Sequence, residues 1–355
     1  MKRFFLMIGC CLLTASLTAQ EKRIQNVQFE LMEGYASSRA FLRHTLAIPN
    51  LPGYTTIKCD LHLHTHYSDG QVTPLMRVHE AYVEGLDAIS LTDHQPTPRS
   101  KSETEDCNIS YKKAKSLAES KGIMLIKGLE ITGKEPTGHL NVHFIKDCND
   151  YMPANKQLTD EVIEAYIEKA AAEGAYITTN HPGWPDKNSE LCPLIIRQIE
   201  KKNIRGIEIF NNEEFYPLAI DHANKYNLSH IAATDAHYPV AFTFDVKDNH
   251  RPMTLVFAKE KTEEAMKEAL LAGRTIAWAD NLLTGNKNLL KEFLRVSLKV
   301  TSYKIEGQRM YARVQNDTDV PYLLDNGIYE ERIRIPAHGS CTISTHKETI
   351  EEKKE

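Results

Sequence analysis

From about Ile57 to Gly273, short apolar runs alternate with amphipathic stretches. The runs Ile57–His64, Ala88–Thr92, Ile123–Ile131, His139–Ile145, Ala175–Thr179, Gly206–Phe210, His230–Thr234 and Met253–Ala258 have the length and apolar density of buried strands. Between them, Thr73–Glu84 opens with Thr and Pro at a helix start. Asp160–Glu173 carries Val162, Ile163, Tyr166, Ile167 and Ala170 on one stripe, and Thr262–Leu271 repeats that spacing. Strand and helix in alternation predict an α/β fold with a parallel sheet. Eight runs over roughly two hundred residues predict a closed or nearly closed barrel, whose chemistry sits at the carboxyl ends of its strands. After Asn288 the pattern changes. Arg295–Thr301, Met310–Gln315, Ile328–Ile335 and Ser340–Ser344 read as strands separated by Asn-Asp, Asp-Asn-Gly and His-Gly turns. They predict a small antiparallel, sandwich-like β domain over residues 288–345, followed by a charge-dense, disordered tail at 346–355.

The start of the chain has a different character. Lys2 and Arg3 precede an apolar stretch, Phe4–Leu17, that is too short to span a bilayer and ends among the small residues Ser16, Thr18 and Ala19. Residues 1–20 therefore read as a cleaved secretory signal, which leaves the barrel at 21–285, no transmembrane anchor in the mature chain, and a secreted or periplasmic location. A lipoprotein anchored at Cys10 is the weaker reading, because it strands Leu12 and Leu13 beyond the modified residue. With 355 residues, 41% hydrophobic and 26% charged, the chain is globular in composition rather than fibrous or disordered. Its formal net charge of -5 offers extended nucleic acid no general attraction, so any phosphate chemistry needs a locally positive site. Outside the leader, Cys59, Cys107, Cys148, Cys192 and Cys341 are scattered without a C-x-x-C pair, implying neither a disulfide framework nor a thiolate zinc site.

Histidines and carboxylates fall where the apolar runs stop. His62, His64 and His66 stand in C-D-L-H-L-H-T-H-Y-S-D-G; side chains two apart on a strand share a face, so His62 and His64 can grip one ion, with Asp69 on the turn beyond. Ala88–Thr92 runs into Asp93-His94. Glu130 ends I-M-L-I-K-G-L-E, and Gly138-His139 opens H-L-N-V-H. Asn180-His181-Pro182-Gly183 follows A-Y-I-T-T, and Asp235-Ala236-His237 follows H-I-A-A-T. An isolated histidine is ordinarily just a hydrogen-bonding residue. Chance, however, scatters fifteen histidines through loops and helices; it does not place them repeatedly at the ends of apolar runs.

In this order, H-L-H-T-H-Y-S-D-G, T-D-H, a lone Glu after a strand, G-H, H-P-G and D-A-H resemble the PHP family, named for polymerase-associated and histidinol-phosphatase domains. The resemblance covers roughly Cys59 to His237 and fills nine ligand positions. It implies the PHP fold, a distorted TIM-like barrel of seven or eight β/α units, and metal-dependent phosphoesterase activity. By the family pattern His62, His64, Asp235 and Glu130 hold one metal, Glu130 bridges to a second held by His139 and His181, and Asp69, His94 and His237 hold a third. His139 is preferred to His143 because the family's ligand follows a Gly. His66 is then a neighbour, and Asp93 orients other groups. Glu130, His94 and His237 are the ligands expected at the reacting centre, with Arg99 to bind a phosphate oxygen.

Six imidazoles and three carboxylates without a thiolate suit two to three ions of zinc, manganese or iron. Three dications against three carboxylates leave an excess of positive charge, which meets the condition set by the acidic chain. The expected reaction is hydrolysis of a small-molecule phosphate ester by a metal-bridging hydroxide, without a covalent enzyme intermediate. G-L-E-I-T followed by P-T-G-H-L-N-V-H-F-I is similar to a secreted phosphodiesterase branch and favours a diester. Lys134, Glu208 and Asn211 stand near strand ends as candidate pocket residues, and Trp184 as an apolar wall. The alternatives are a phosphomonoesterase or exonuclease-like nucleotide phosphatase, an amide or carboxylate-ester hydrolase on the same scaffold, and a binding module without catalysis. The oligomeric state is not legible.

Overall fold

The computed structural model describes residues 43–96, 105–154, 157–324 and 332–346. The expected signal at 1–20, Arg99, and the tail beyond His346 lie outside the described residues. The chain runs β1 (Thr55–Asp60), α1 (Pro74–Val83), β2 (Ala88–Leu91), α2 (Ile109–Lys121), β3 (Met124–Thr132), β4 (His139–His143), α3 (Asp160–Ala172), β5 (Tyr176–Thr179) and α4 (Pro193–Glu200). It continues with β6 (Gly206–Asn211), β7 (Glu214–Phe215), α5 (Pro217–Tyr226), β8 (Ser229–Ala233), β9 (Met253–Ala258), α6 (Glu263–Leu271), β10 (Thr275–Ala279) and β11 (Leu282–Gly285).

The helix starts follow from capping chemistry. Thr73, Thr159 and Thr262 precede α1, α3 and α6, and each hydroxyl accepts a backbone N–H from the first turn. Asp160, Glu161, Glu263 and Glu264 add negative charge at the positive helix ends.

Eleven strands form one curled α/β sheet. β1, β2 and β3 run parallel, as do β5, β6 and β8. The wholly parallel sheet expected from strand-helix alternation is interrupted: β4 is antiparallel to both β3 and β5. The segment 133–138 between β3 and β4 is too short for a crossover, so the chain can only turn back. β9 also lies antiparallel beside β1, and β10 and β11 extend the sheet from there.

At its mouth the barrel closes backbone to backbone. Beyond the ends of β1 and β8, Leu63 and Ala236 form a parallel bridge, with His64 N–H donating to Ala236 O at 3.2 Å. Lower down, Thr254 of β9 closes the seam with its side chain. Its Oγ1 accepts the Ala232 N–H at 2.9 Å and donates to the Ala232 carbonyl at 3.0 Å.

After β11 comes α7 (Lys287–Ser297), then β12 (Leu298–Glu306), β13 (Arg309–Asn316), β14 (Tyr322–Leu324), β15 (Ile333–Ile335) and β16 (Ser340–His346). β12, β13 and β16 make one antiparallel sheet, and β14 and β15 a second, two-stranded one. The expected strand at Arg295–Thr301 is thus divided, its first three residues completing α7. Leu289, Leu290, Phe293 and Val296 recur at helical spacing and pack on the body of the protein. Val314, Val320, Tyr322 and Ile335 share a buried cluster with Leu255, Ile276 and Trp278 of β9 and β10. From His44 onward, barrel and β module form one compact unit.

Candidate metal centre

Each candidate side chain enters the barrel mouth from a strand end. On β3, Leu129 and Ile131 pack outward into the core, so the alternation turns Glu130 and Thr132 the other way. β4 pairs with β3 so that His139 stands opposite Thr132 and Asn141 opposite Glu130. His143 shares that face but stands opposite Gly128, two residues further from the mouth. A parallel bridge between His94 and Glu130 sets the end of β2 beside β3. His181 and Asp235 have left-handed backbones, with φ of 25° and 50°, strain of the kind found at functional sites. Gly70 closes the loop after His64, where an added Cβ would meet the His64 carbonyl carbon at 2.8 Å.

The first group gathers around Glu130 and Asp235. His62 Nε2 lies 3.1 Å from His64 Nε2, 3.3 Å from Glu130 Oε1 and 3.2 Å from Asp235 Oδ1, while His64 Nε2 is 2.9 Å from Asp235 Oδ1. A second group shares Glu130, with His139 Nδ1 at 3.1 Å and His181 Nε2 at 3.5 Å from Oε1. In the third, Asp69 lies 3.2 Å from His237 Nε2 and 3.5 Å from His94 Nε2. His94 Nδ1 also reaches Glu130 Oε2 at 2.8 Å.

These contacts suit a cation better than they suit one another. Glu130 Oε2, Asp235 Oδ1 and His139 Nδ1 are buried and make no hydrogen bond, even though charged or basic atoms stand 2.8–3.1 Å away. Native proteins rarely leave buried polar atoms so, and lone pairs that converge without an intervening proton are the arrangement a metal ion satisfies.

The electrostatics agree. Burial alone would raise the Glu130 carboxyl, but His139, His62 and His94 hold it well below the carboxylate range. Burial opposes charge on His94 too, yet Glu130 and Asp69 raise it to about 10. His64, buried and beside His94, is pushed down to about 4. Without a cation the carboxylates must be matched by protons on some imidazoles, which a bound ion would displace.

A cavity of about 350 Å³ opens over the cluster, walled by Trp184, Asn211, Asn212, Glu214 and Tyr216. Trp184 stands edge-on to His139, with ring centroids 4.7 Å apart.

Residues 60–317, well over half of the chain, match the family model of the PHP domain. The chain belongs to the PHP family. A solved structure from Bacteroides vulgatus, described as a two-domain protein containing a predicted PHP-like metal-dependent phosphoesterase, is 35% identical and superposes with a TM-score of 0.77. The match covers 86% of this chain and 91% of that one. A 5'-3' exoribonuclease from Haemophilus influenzae is 36% identical over 77 residues, 22% of this chain and 24% of that protein, so the match spans about a quarter of the relative's length.

All nine residues expected as ligands of this PHP protein thus meet at the mouth. His143 does not: its Nδ1 lies 3.0 Å from Ser90 Oγ, and burial lowers it to about 3. His66 sits against Tyr67 and Val72. Asp93 accepts hydrogen bonds from Thr65 N, Thr65 Oγ1 and Ser68 Oγ at 2.6–2.8 Å and from Ser110, fixing the loop that carries Asp69. Asn211 lines the cavity, whereas Lys134 is exposed and does not.

Supporting residues that the motifs leave out surround the PHP cluster. Glu208 is fully buried; its Oε1 lies 2.8 Å from His62 Nδ1, and its Oε2 accepts the His181 N–H at 2.7 Å and Asn211 Nδ2 at 2.8 Å. Asn180 Nδ2 donates to Glu130 Oε1 at 2.8 Å, and His94 Nδ1 lies 2.9 Å from Thr132 Oγ1. An acid inside I-E-I-F was the signal for Glu208; nothing local marked Asn180.

Proposed function

We propose that this protein is a metal-dependent phosphoesterase that hydrolyses a small phosphodiester at a trinuclear site. The observation that carries this reading is the meeting of six imidazoles and three carboxylates under one cavity. His62, His64, Asp235 and Glu130 would hold one ion, Glu130, His139 and His181 a second, and Asp69, His94 and His237 a third. Divalent ions in such a site supply an electrophile for the phosphoryl oxygens and lower the pKa of water toward neutrality.

The chain's own groups supply positioning. Glu208 fixes the His62 ring through Nδ1 and holds the His181 backbone, so two ligands keep their aim. Trp184 and Tyr216 wall the cavity and exclude water from the side of the ester, and Asn211 and Asn212 offer amides to its oxygens. Among the described residues, no lysine or arginine lines the cavity, and Glu214 does. A monoester dianion brings one more negative charge into that setting than a diester, which supports the diester. The apolar leader at residues 4–17 supports export.

A second reading, release of nucleotides from an end of a chain, is supported by the partial likeness to the exoribonuclease. Kinetics decide between them. Protein stripped with chelator and reloaded with zinc, manganese or iron is expected to cleave bis-p-nitrophenyl phosphate with higher kcat/KM than p-nitrophenyl phosphate. The reverse order overturns the diester preference, and mononucleotide release from a 5'-phosphorylated oligonucleotide at higher kcat/KM than either favours the second reading. Inactivity on all of them with every metal overturns the phosphoesterase reading.

A further inference from the structure

Arg77 of α1 is fully buried, yet nothing in the ligand motifs involves it. Its guanidinium donates to three backbone carbonyls at the barrel mouth: Nε to His64 O at 2.9 Å, Nη2 to Ala236 O at 2.6 Å and Nη1 to Tyr238 O at 2.9 Å. Glu80, one turn along the same helix, balances the charge at 2.8 Å from Nη1, and its other oxygen accepts the Val240 N–H at 2.9 Å.

Those carbonyls belong to two segments widely separated in sequence, and every one is a ligand residue or lies next to Asp235 or His237. Beyond the ends of β1 and β8 the two segments share one backbone bridge, Leu63–Ala236, while below it Thr234 bonds Asp60 of β1 through its N–H at 3.2 Å and its hydroxyl at 2.6 Å. Arg77 therefore stands where the next rungs would be. A planar guanidinium reaches divergent carbonyls from three separate nitrogens, whereas the three N–H groups of an ammonium all radiate from one atom.

The three ligand groups do not depend on this tie equally. Glu130 is fixed within β3, His62 and His181 are fixed by Glu208, and Thr234, before Asp235, is tied to Asp60 of β1, which leaves His64 as the one ligand of these groups that Arg77 bonds directly. Asp69 and His237 are the most open ligands, with side chains 27% and 31% exposed, and both stand on loops. Their loops join through Gln71 N–H donating to His237 O at 2.6 Å, and the segments on either side end at Arg77.

We propose that Arg77 is a positioning residue that sets the Asp69–His94–His237 group and thereby governs binding of the third metal ion. The inference rests on the ligand set proposed above. Small displacements of ligands are costly, so loosening these loops should weaken that site most, the site that His64 serves less, and the Glu130–His139–His181 site not at all.

The test is calorimetric titration of zinc into chelator-treated protein, wild type beside R77K and R77Q, with thermal melting of the apo proteins. Wild type is expected to bind three ions. Both variants should lose at least tenfold in the third site, lose less in the site that His64 serves and keep the Glu130–His139–His181 site at wild-type affinity, and kcat should fall at least tenfold with little change in KM. R77K, which keeps the charge, should not rescue. Glu80→Gln, which leaves the guanidinium in place but removes its anionic partner, serves if R77Q does not fold, and is expected to weaken the third site by a smaller factor. Wild-type affinity for the third ion in the variants, or equal weakening of all three sites, overturns the inference. Wild type that binds no zinc, manganese or iron overturns the ligand set itself.

Discussion

Glu208 shows how much of the site is held from behind. A carboxylate on the far nitrogen of a ligating imidazole fixes both its tautomer and its aim, and such partners typically contribute ten- to a hundredfold in metal affinity. Glu208→Gln is therefore expected to weaken metal binding by about that factor while the circular dichroism spectrum stays that of wild type; wild-type affinity in a zinc titration would contradict the role. His143 makes a different prediction. Burial lowers it to about 3, as it lowers His230 to about 4, so both are neutral in the folded chain while the unfolded chain protonates near pH 6.5. The unfolded state then binds more protons, and stability falls as pH drops from about 6.5 toward 4, by up to about 1.4 kcal/mol per pH unit for each group. In urea titrations of chelator-treated protein, His143→Gln should flatten that slope by roughly one proton; an unchanged slope would show that the site is not charged on unfolding. The ligands were legible because each follows or opens an apolar run. Arg77 and Asn180 were not, because a buried arginine within an amphipathic helix, or an asparagine before a ligand, looks like any other polar residue until its partners are in place.

Among the elements, most strands around the mouth were legible to within a residue or two, since apolar density marks a strand buried on both faces. β1, however, ends at Asp60, four residues short of the expected His64, so His62 and His64 lie beyond it, and β10 was not expected. Their directions were not. Alternation favoured a parallel sheet, whereas β4 and β9 run the other way, because direction depends on connection length and on which edge a strand joins. The short segments β7 and β14 carry too few residues for a period, and the last three residues of α7 fall where the strand Arg295–Thr301 was expected to begin. The seam between β8 and β9 rests on Thr254, whose hydroxyl replaces a pair of ladder bonds. Thr254→Val keeps the shape and strands the Ala232 N–H and carbonyl, at a cost of about 1–3 kcal/mol for a buried group left unpaired. Urea denaturation should show that loss, and a midpoint equal to wild type would mean that water or the backbone closes the seam instead.

For the whole molecule, the net charge of -5 is misleading by itself, because function depends on where the charge lies. Fold and chemistry are coupled at the mouth: strands far apart in sequence each deliver one or two ligands, and the loops that carry them are tied across the barrel. The β module is part of that body, since Val314, Tyr322 and Ile335 share a core with β9 and β10. Its own role was not legible, for it carries packing residues and no cluster of chemical groups among the described ones. The central claim is that the nine side chains hold cations. Metal content of the purified protein, measured by mass spectrometry beside Glu130→Gln, tests it most directly. Two to three ions of zinc, manganese or iron per chain are predicted in wild type, and at most one in a variant that is still folded. A wild-type chain that carries no transition metal and takes none up on reloading, or a variant that retains the full complement, would contradict the account.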